Sequence, residues 1–484
     1  MIARRKESVP GEFCTRLNEY ISETDYSIYK LAQITDLGRT AIQNVLSGRL
    51  LPAKPFVERI CAVLPITPRQ KSELMELYLM DKIGKRAYSC RTAVKHIIET
   101  LPQYYTKGEN APRFGVIPPD IADSSTAVGI INVNNLLRSI ILDEITKERP
   151  FISSTIPFDN TALIDMAMHL LTGHNNIVFD HYMRLYKHDD ECMNNMQSLE
   201  YALKFSMCKG VTYHPYYYYM NNESADDYLA PYPYMLITSE YSVLLSKDYN
   251  NAFVSKDKAL HSQLTGHIKK LNSYSQLMID VVDEKRMFDI FAAASPMYKY
   301  SIEFQPCLTS YVTPEIVAAK LKDVPGRENI LQQLENYFFN PEGLERIAAH
   351  EGICSFTKEG LCNFCETGYM INLPGILLEQ LSIEERIAFL EGMKRDASKY
   401  LLIDSAKLSV PSFMQVILLN NNTMLISCML DEKNFCCVVT ESGINDAFND
   451  FFESMSDSDY LLKQSEMLSE IDSCIAALKW KLVN

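Results

Sequence analysis

Between Ser27 and Pro52 the chain reads SIYKLAQITDLGRTAIQNVLSGRLLP, and this stretch limits the fold more tightly than any other. Ser27 is placed to cap a helix whose apolar positions Ile28, Leu31 and Ala32 follow at helical spacing. Gly38 opens a second helix with Ala41, Ile42, Val45 and Leu46 on one face. Ala32 must be small because the two helices come closest there, while Ile42 and Val45 anchor the second helix on the first. Asp36 falls in the turn, where the chain passes through a left-handed conformation that Asp tolerates better than most residues.

The flanking sequence continues in the same manner. A helix is expected over residues 11–22, another carries Phe56, Ile60 and Leu64 four apart, and Thr67, Pro68 and Gln70 form a capping box for the next. Residues 11–84 therefore predict five short helices and no strand.

With those positions in place, residues 27–64 resemble the XRE family, the Cro-like or phage-repressor-like helix-turn-helix regulators. The matching positions are Ser27, Leu31, Ala32, Ile42 and Val45, and the likeness continues through LSGRLLP, Phe56, Ile60 and Leu64. About 60 of the 484 residues are covered. Asp36 stands where relatives commonly carry Gly, and Ile28 where many carry a Gln that touches the DNA backbone. The resemblance implies a second helix whose exposed N-terminal flank, Arg39, Thr40, Gln43 and Asn44, reads bases in the major groove. Ser27, Lys30, Arg49 and Lys54 lie where phosphates can be reached. Leu31, Ala32, Leu37, Ile42 and Val45 are the implied packing set.

The formal charge of −14 would oppose nucleic acid if it were evenly spread. It is not: residues 1–95 hold 16 Lys and Arg against 10 Asp and Glu, and the remainder 31 against 51. A basic head on an acidic body is the asymmetry expected when one end meets phosphate. Apolar residues at 47% and charged residues at 22% exclude a wholly disordered chain. There is no run of about 18 apolar residues and no apolar stretch behind the basic N-terminus, so no membrane partner is expected and a cytoplasmic location is. The odd count of 13 cysteines fits reduced, buried thiols better than disulfides.

Beyond a linker near residues 103–125 the pattern changes to short β-branched and aromatic runs alternating with helical segments, an α/β or α+β body. Residues 233–280 and 412–464 share an order. PYMLITSEYSVLLS and MQVILLNNNTMLIS each read as a β-hairpin, followed by a strand (NAFVS, FCCVVT) and a long helix, and preceded by a strand that leaves a helix. Two related lobes would explain this; chance likeness of hairpins is the alternative. The expected organisation is a helix-turn-helix domain over 8–85, a helix and linker over 86–125, and α/β lobes over 126–295 and 300–484.

Other constellations are weaker. His169, His174, His181 and His188 lie near Asp180, Asp189, Asp190 and Cys192, but no spacing is the i, i+4 pair of a zinc protease helix. Cys354, Cys362 and Cys365 have only His350 as a nearby fourth ligand, so buried thiols are the better reading and no metal is expected. The run YHPYYYY puts Tyr213, Tyr217 and Tyr219 on one strand face, for a ligand cavity, a dimer contact or plain core packing. GxxxxGK[ST], GxSxG and HExxH are missing, and His267 with Lys269 begins an HxK pattern that no Asp completes. No catalytic residue or cofactor is nominated.

The expectation is a sequence-specific DNA-binding transcriptional regulator, a homodimer on a near-palindromic operator. Its C-terminal body would sense a small-molecule effector, hold the dimer, or both. The alternatives are an enzyme or defence effector with an autoregulatory head, and a protein-binding platform.

Overall fold

Ser27 does cap its helix, its hydroxyl accepting from the Lys30 N–H, and the Thr67–Gln70 capping box is closed in both directions. These ends delimit α1 (Glu12–Ser22), α2 (Ile28–Thr35), α3 (Arg39–Leu46), α4 (Lys54–Val63) and α5 (Pro68–Ile83), with α6 (Lys85–Thr100) following Gly84. The computed structural model describes residues 11–105, 124–173, 176–187, 192–219, 231–283, 286, 290, 297–323, 327–334, 352–370, 378–412, 414–430 and 433–483. The linker expected near 103–125 lies almost wholly outside them. The chain divides into two compact units, Met1–Thr92 and Ala93–Asn484.

In the first unit, Phe13, Leu17, Leu31, Ile42, Val45 and Tyr78 are buried in one core. Phe13 meets Tyr78 edge-on at 5.4 Å between ring centres, and the Tyr78 hydroxyl donates to the Pro52 carbonyl at 3.0 Å. The five-helix head expected from spacing is the one observed.

The second unit holds two sheets. The first is built from β1 (Ser124–Val128), β2 (Phe151–Ser154), β3 (Ile177–Leu185), β4 (Val211–Tyr219), β5 (Tyr234–Ile237), β6 (Ser242–Leu245), β7 (Asn251–Ser255) and β8 (Gln276–Leu277), in the order β1-β7-β6-β5-β2-β3-β4-β8. β2, β3 and β4 run parallel, joined by helices Thr161–Leu171 and Cys192–Ser206, as crossover connections require. The other pairings are antiparallel.

The second sheet uses β9 (Ile279–Val281), β10 (Tyr298–Glu303), β11 (Ile353–Thr357), β12 (Tyr400–Ile403), β13 (Met414–Leu419), β14 (Met424–Leu430) and β15 (Lys433–Val439), in the order β12-β11-β10-β13-β14-β15-β9. Read from the other edge, its first six strands repeat the order β7-β6-β5-β2-β3-β4, with β10, β11 and β12 parallel and the meander antiparallel. Helices Lys258–Asn272 and Ser442–Ser454 follow β7 and β15. A short antiparallel contact then reaches the third parallel strand in both: Leu277 on β4, Leu461 on β12. The resemblance between the two hairpin regions is therefore one of whole-sheet topology.

The chain changes sheets at Met278, which is fully buried: β8 pairs with β4 and β9 with β15. The range 126–295 expected for the first lobe thus carries one strand of the second sheet, and Ser124–Ser125 of β1 precede it. A strand's hydrogen bonds are made wherever an unpaired edge lies, so lobe limits drawn from sequence order misplace such a crossing.

Candidate functional site

In the head, α2 ends at Asp36, which takes the left-handed conformation (φ 54°, ψ 37°), and the Leu37 N–H returns to the Ala32 carbonyl at 3.3 Å. Gly38 is extended and starts α3, with the Ile42 N–H on its carbonyl at 3.1 Å. Ile42 and Val45 are wholly buried with Leu31, while Ala32, Leu37 and Ile28 pack partly buried against the same core. Ile28 is thus used for packing.

With that face fixed, the opposite flank of α3 presents Arg39, Thr40 and Gln43 exposed and Asn44 half-buried. Ser27, Lys30 and Arg49 are exposed as well, and Lys54 is half-buried, 4.0 Å from Glu58. Among the described residues neither Arg39 nor Arg49 has an ion pair, whereas Arg16, on α1, is held by Glu19 and Glu73. All the nominated base-reading and phosphate-reaching residues belong to one small unit. A helix presented in this way can donate and accept on base edges.

The body has a site that the motifs did not indicate. A cleft of about 820 Å³ opens at the carboxyl ends of β2, β3 and β4, against helix Lys258–Asn272. Ligands commonly bind at that end of open α/β sheets. Tyr218, Tyr234 and Tyr274 supply aromatic walls, Arg184 and Lys247 supply cations, and the His267 imidazole lies beside them. Tyr218 meets Tyr274 edge-on at 6.2 Å, and Arg184 stands 5.2 Å over the Tyr186 ring. Asp159, a lining carboxylate, accepts a hydrogen bond from the Tyr249 hydroxyl. Burial first and Asp159 second push the Tyr234 phenol up to about 12, so it stays a neutral donor. Aromatic faces with cations suit a ring-bearing small molecule with an anionic group. The signal available in the sequence was the strand alternation itself, which puts Tyr218 on the face opposite Tyr217.

The three nominated tyrosines, Tyr213, Tyr217 and Tyr219, have structural partners. Tyr213 is buried, its hydroxyl donating to His181; Tyr217 is buried and donates to Gln276 at 2.7 Å. Tyr219 donates to Glu441, the buried N-cap of helix Ser442–Ser454, and so ties the edge of the first sheet to a helix of the second. Their face of β4 packs inward, and the cleft takes the opposite face.

The described members of the His-Asp cluster are drawn apart. Successive strand residues face opposite ways, so Asp180 pairs with His214 at 2.7 Å while His181 is buried between Phe158 and Phe179. His169 is exposed on its helix, and His174, His188, Asp189 and Asp190 lie outside the described residues. His181 Nε2 lies 2.7 Å from the Ile156 carbonyl, which only accepts, so Nε2 carries the proton and Nδ1 accepts from Tyr213. Cys354 sits beside Cys307 in the second sheet, and His350 is outside the described residues. Among the described residues no group of three or more His, Cys, Asp or Glu is arranged to hold a metal ion, and no helix is long and apolar enough to cross a membrane.

No family model matches the chain, and no curated protein matches it. Among solved structures it aligns with TrmBL2, an archaeal chromatin protein whose structure shows a novel mode of DNA binding. That alignment has 12% identity over 54% of this chain and 91% of that one, with a TM-score of 0.22. A superposition that poor carries no argument about fold or function.

Proposed function

We propose that the protein is a one-component transcriptional regulator of the XRE helix-turn-helix type. Its head, residues 8–85, reads double-stranded DNA; its body, with lobes over 126–295 and 300–484, senses a small molecule in the cleft beside helix Lys258–Asn272 and holds a homodimer. The observation that carries the reading is the two-sided α3: Ile42 and Val45 wholly buried, Arg39, Thr40 and Gln43 exposed on the other flank. Arg39 then bonds guanine, Gln43 and Asn44 adenine, and Thr40 base or phosphate. Ser27, Lys30, Arg49 and Lys54 bind phosphate. Two heads related by a two-fold axis read half-sites about 34 Å apart on a near-palindromic operator. The site of action is the cytoplasm.

The test is selection of a preferred duplex from random DNA, followed by gel-shift titration. Arg39→Ala, Gln43→Ala and Asn44→Ala together are expected to abolish preference for the selected duplex while the circular dichroism of the head is unchanged. Arg49→Ala should weaken all duplexes alike and lower the salt slope by about 1. Unchanged affinity of the triple variant would remove α3 from the reading. The cleft also favours a second reading, an enzyme or defence effector with an autoregulatory head. Turnover of a nucleotide or metabolite by the full chain, lost on His267→Ala, would favour it over the regulator.

A further inference from the structure

The ends of the two sheets are not closed in the same way. β8 and β9 end their sheets with two and three residues. The outer edge of β12 is taken: Leu461 bridges Ile403, the Asp404 N–H donates to the Tyr460 carbonyl at 2.8 Å, and the Leu462 N–H donates to the Leu402 carbonyl at 2.9 Å. β1, five residues long, pairs with β7 on one side, and among the described residues no strand lies on the other.

The register decides which backbone groups of β1 face outward. The Gly129 N–H donates to the Asn250 carbonyl at 2.8 Å, and on the far side of β7 the Ser246 N–H donates to the Asn251 carbonyl at 2.9 Å. Hydrogen-bonded antiparallel pairs recur at every second residue. Ser125, Ala127 and Gly129 therefore bond to β7, and Ser124, Thr126 and Val128 direct their N–H and C=O groups to the open edge. The Val128 carbonyl accepts from the Asn132 side chain at 2.8 Å and keeps a second lone pair.

An edge strand that stays single is ordinarily guarded by charge, proline or a bulge. In a chain with 22% charged residues, none occurs from Ser124 to Leu137, and neither does a proline. The register with β7 is unbroken. Val128, Ile130 and Ile131 are 65%, 48% and 73% exposed, so apolar surface adjoins this edge at the start of helix Ile130–Glu144.

We infer that β1 is the homodimer contact, pairing antiparallel with β1 of a second copy about a two-fold axis through Thr126. This rests on the homodimer of the proposed function and names its surface. Thr126 then faces its own copy and Ser124 faces the partner's Val128, so each outward N–H meets an outward carbonyl. Charge favours a second copy as the occupant. After residue 95 the chain holds 31 Lys and Arg against 51 Asp and Glu, so two bodies repel wherever acidic surfaces meet. A two-fold pair sets like residues opposite one another, and a neutral strand is where identical bodies approach without that penalty. The contact closes on itself, using up both open edges instead of growing into a fibre. A ladder this short is a small interface, and the exposed Ile130 and Ile131 add apolar area on its flank.

The test is sedimentation equilibrium of the full-length protein at micromolar concentration without DNA. The wild type should run at twice the chain mass and Thr126→Pro at the chain mass. Proline removes both bonds of the central pair and none to β7, because the Thr126 N–H faces outward. Thr126→Lys and Thr126→Glu, each alone, should weaken the dimer by about tenfold or more; mixed, the two variants should recover it as a heterodimer, which a merely disordered edge would not do. A monomeric wild type would overturn the inference together with the homodimer. A dimer unaffected by these substitutions, or charged variants that do not recover on mixing, would overturn the β1 contact and leave a homodimer held elsewhere. Should Thr126→Pro fail to fold by circular dichroism, the two charged variants decide alone.

Discussion

The two sheets of the body share the order of six strands and differ at one end. In the first, the carboxyl ends of the parallel strands open onto a cleft of about 820 Å³. In the second, helix Lys358–Thr367 is seated on the chain just beyond β10. A Cβ added to Gly360 would lie 1.7 Å from the Phe304 carbonyl oxygen. The Thr357 hydroxyl caps that helix at the Gly360 N–H and also donates to the Phe304 carbonyl at 2.9 Å. Beside the same helix, the space bounded by Val317, Gly368 and Leu381 is about 10 Å³, at most room for one water. Among the described residues, one topology thus carries a cleft in the first half and a closely seated helix in the second. Strand order does not reveal which half carries the cleft.

The comparison breaks most easily at Gly360. Gly360→Ala forces a methyl into a backbone carbonyl, which cannot move as a side chain end could, and should cost about 3 kcal/mol or more. The check is the urea midpoint of the full chain against wild type. A loss below 1 kcal/mol would mean that the seat is loose and the contrast between the halves is wrong.

Next in size is a pH effect confined to the first sheet. His181, 2% exposed, has its ring pushed down to about 4 by burial, with the Ile156 hydrogen bond acting weakly the other way. Its folded-state value lies below the unfolded one of 6.5. The unfolded chain therefore binds the proton first as pH falls. The stability that depends on the neutral ring is complete above pH 6.5, declines as pH falls, and is lost once pH passes about 4, a total of roughly 3 kcal/mol. Chemical denaturation from pH 7 to 4 should show this slope, and His181→Gln should flatten it even though the variant starts less stable. An unchanged slope would assign the acid sensitivity to other groups.

How far the sequence reached can be judged residue by residue. The α2–α3 pair was legible because short-range rules fix it: Ser27 caps, Asp36 tolerates the left-handed turn, Leu31, Ile42 and Val45 keep helical spacing. The likeness of the halves was legible in the hairpins, because period-two alternation and turns are local too. Three things were not. The cleft joins Thr155, Arg184, Tyr218 and His267 from four elements, and no spacing encodes that meeting. Cys365 shares one apolar cluster with Cys474, more than 100 positions further on, as well as with the nearer Cys354, because helix packing decides the grouping. Tyr219 reads as a binding residue by composition but meets Glu441, 222 positions away.

The smallest effect offers the sharpest contrast with Gly360, because it uses the same residue type in a helix of the first half, at a position open to solvent. Gly266 lies inside helix Lys258–Asn272, the cleft-lining helix, and an added Cβ there meets nothing within 4 Å. A helical glycine in open space costs backbone entropy and returns no contact, so Gly266→Ala should stabilise the chain by about 0.5–1 kcal/mol. Both substitutions add one methyl; one side of the body should reject it and the other should gain from it. The readout is a rise in urea midpoint at constant slope, since the surface exposed on unfolding is unchanged. A fall would mean that the space beside Gly266 is filled.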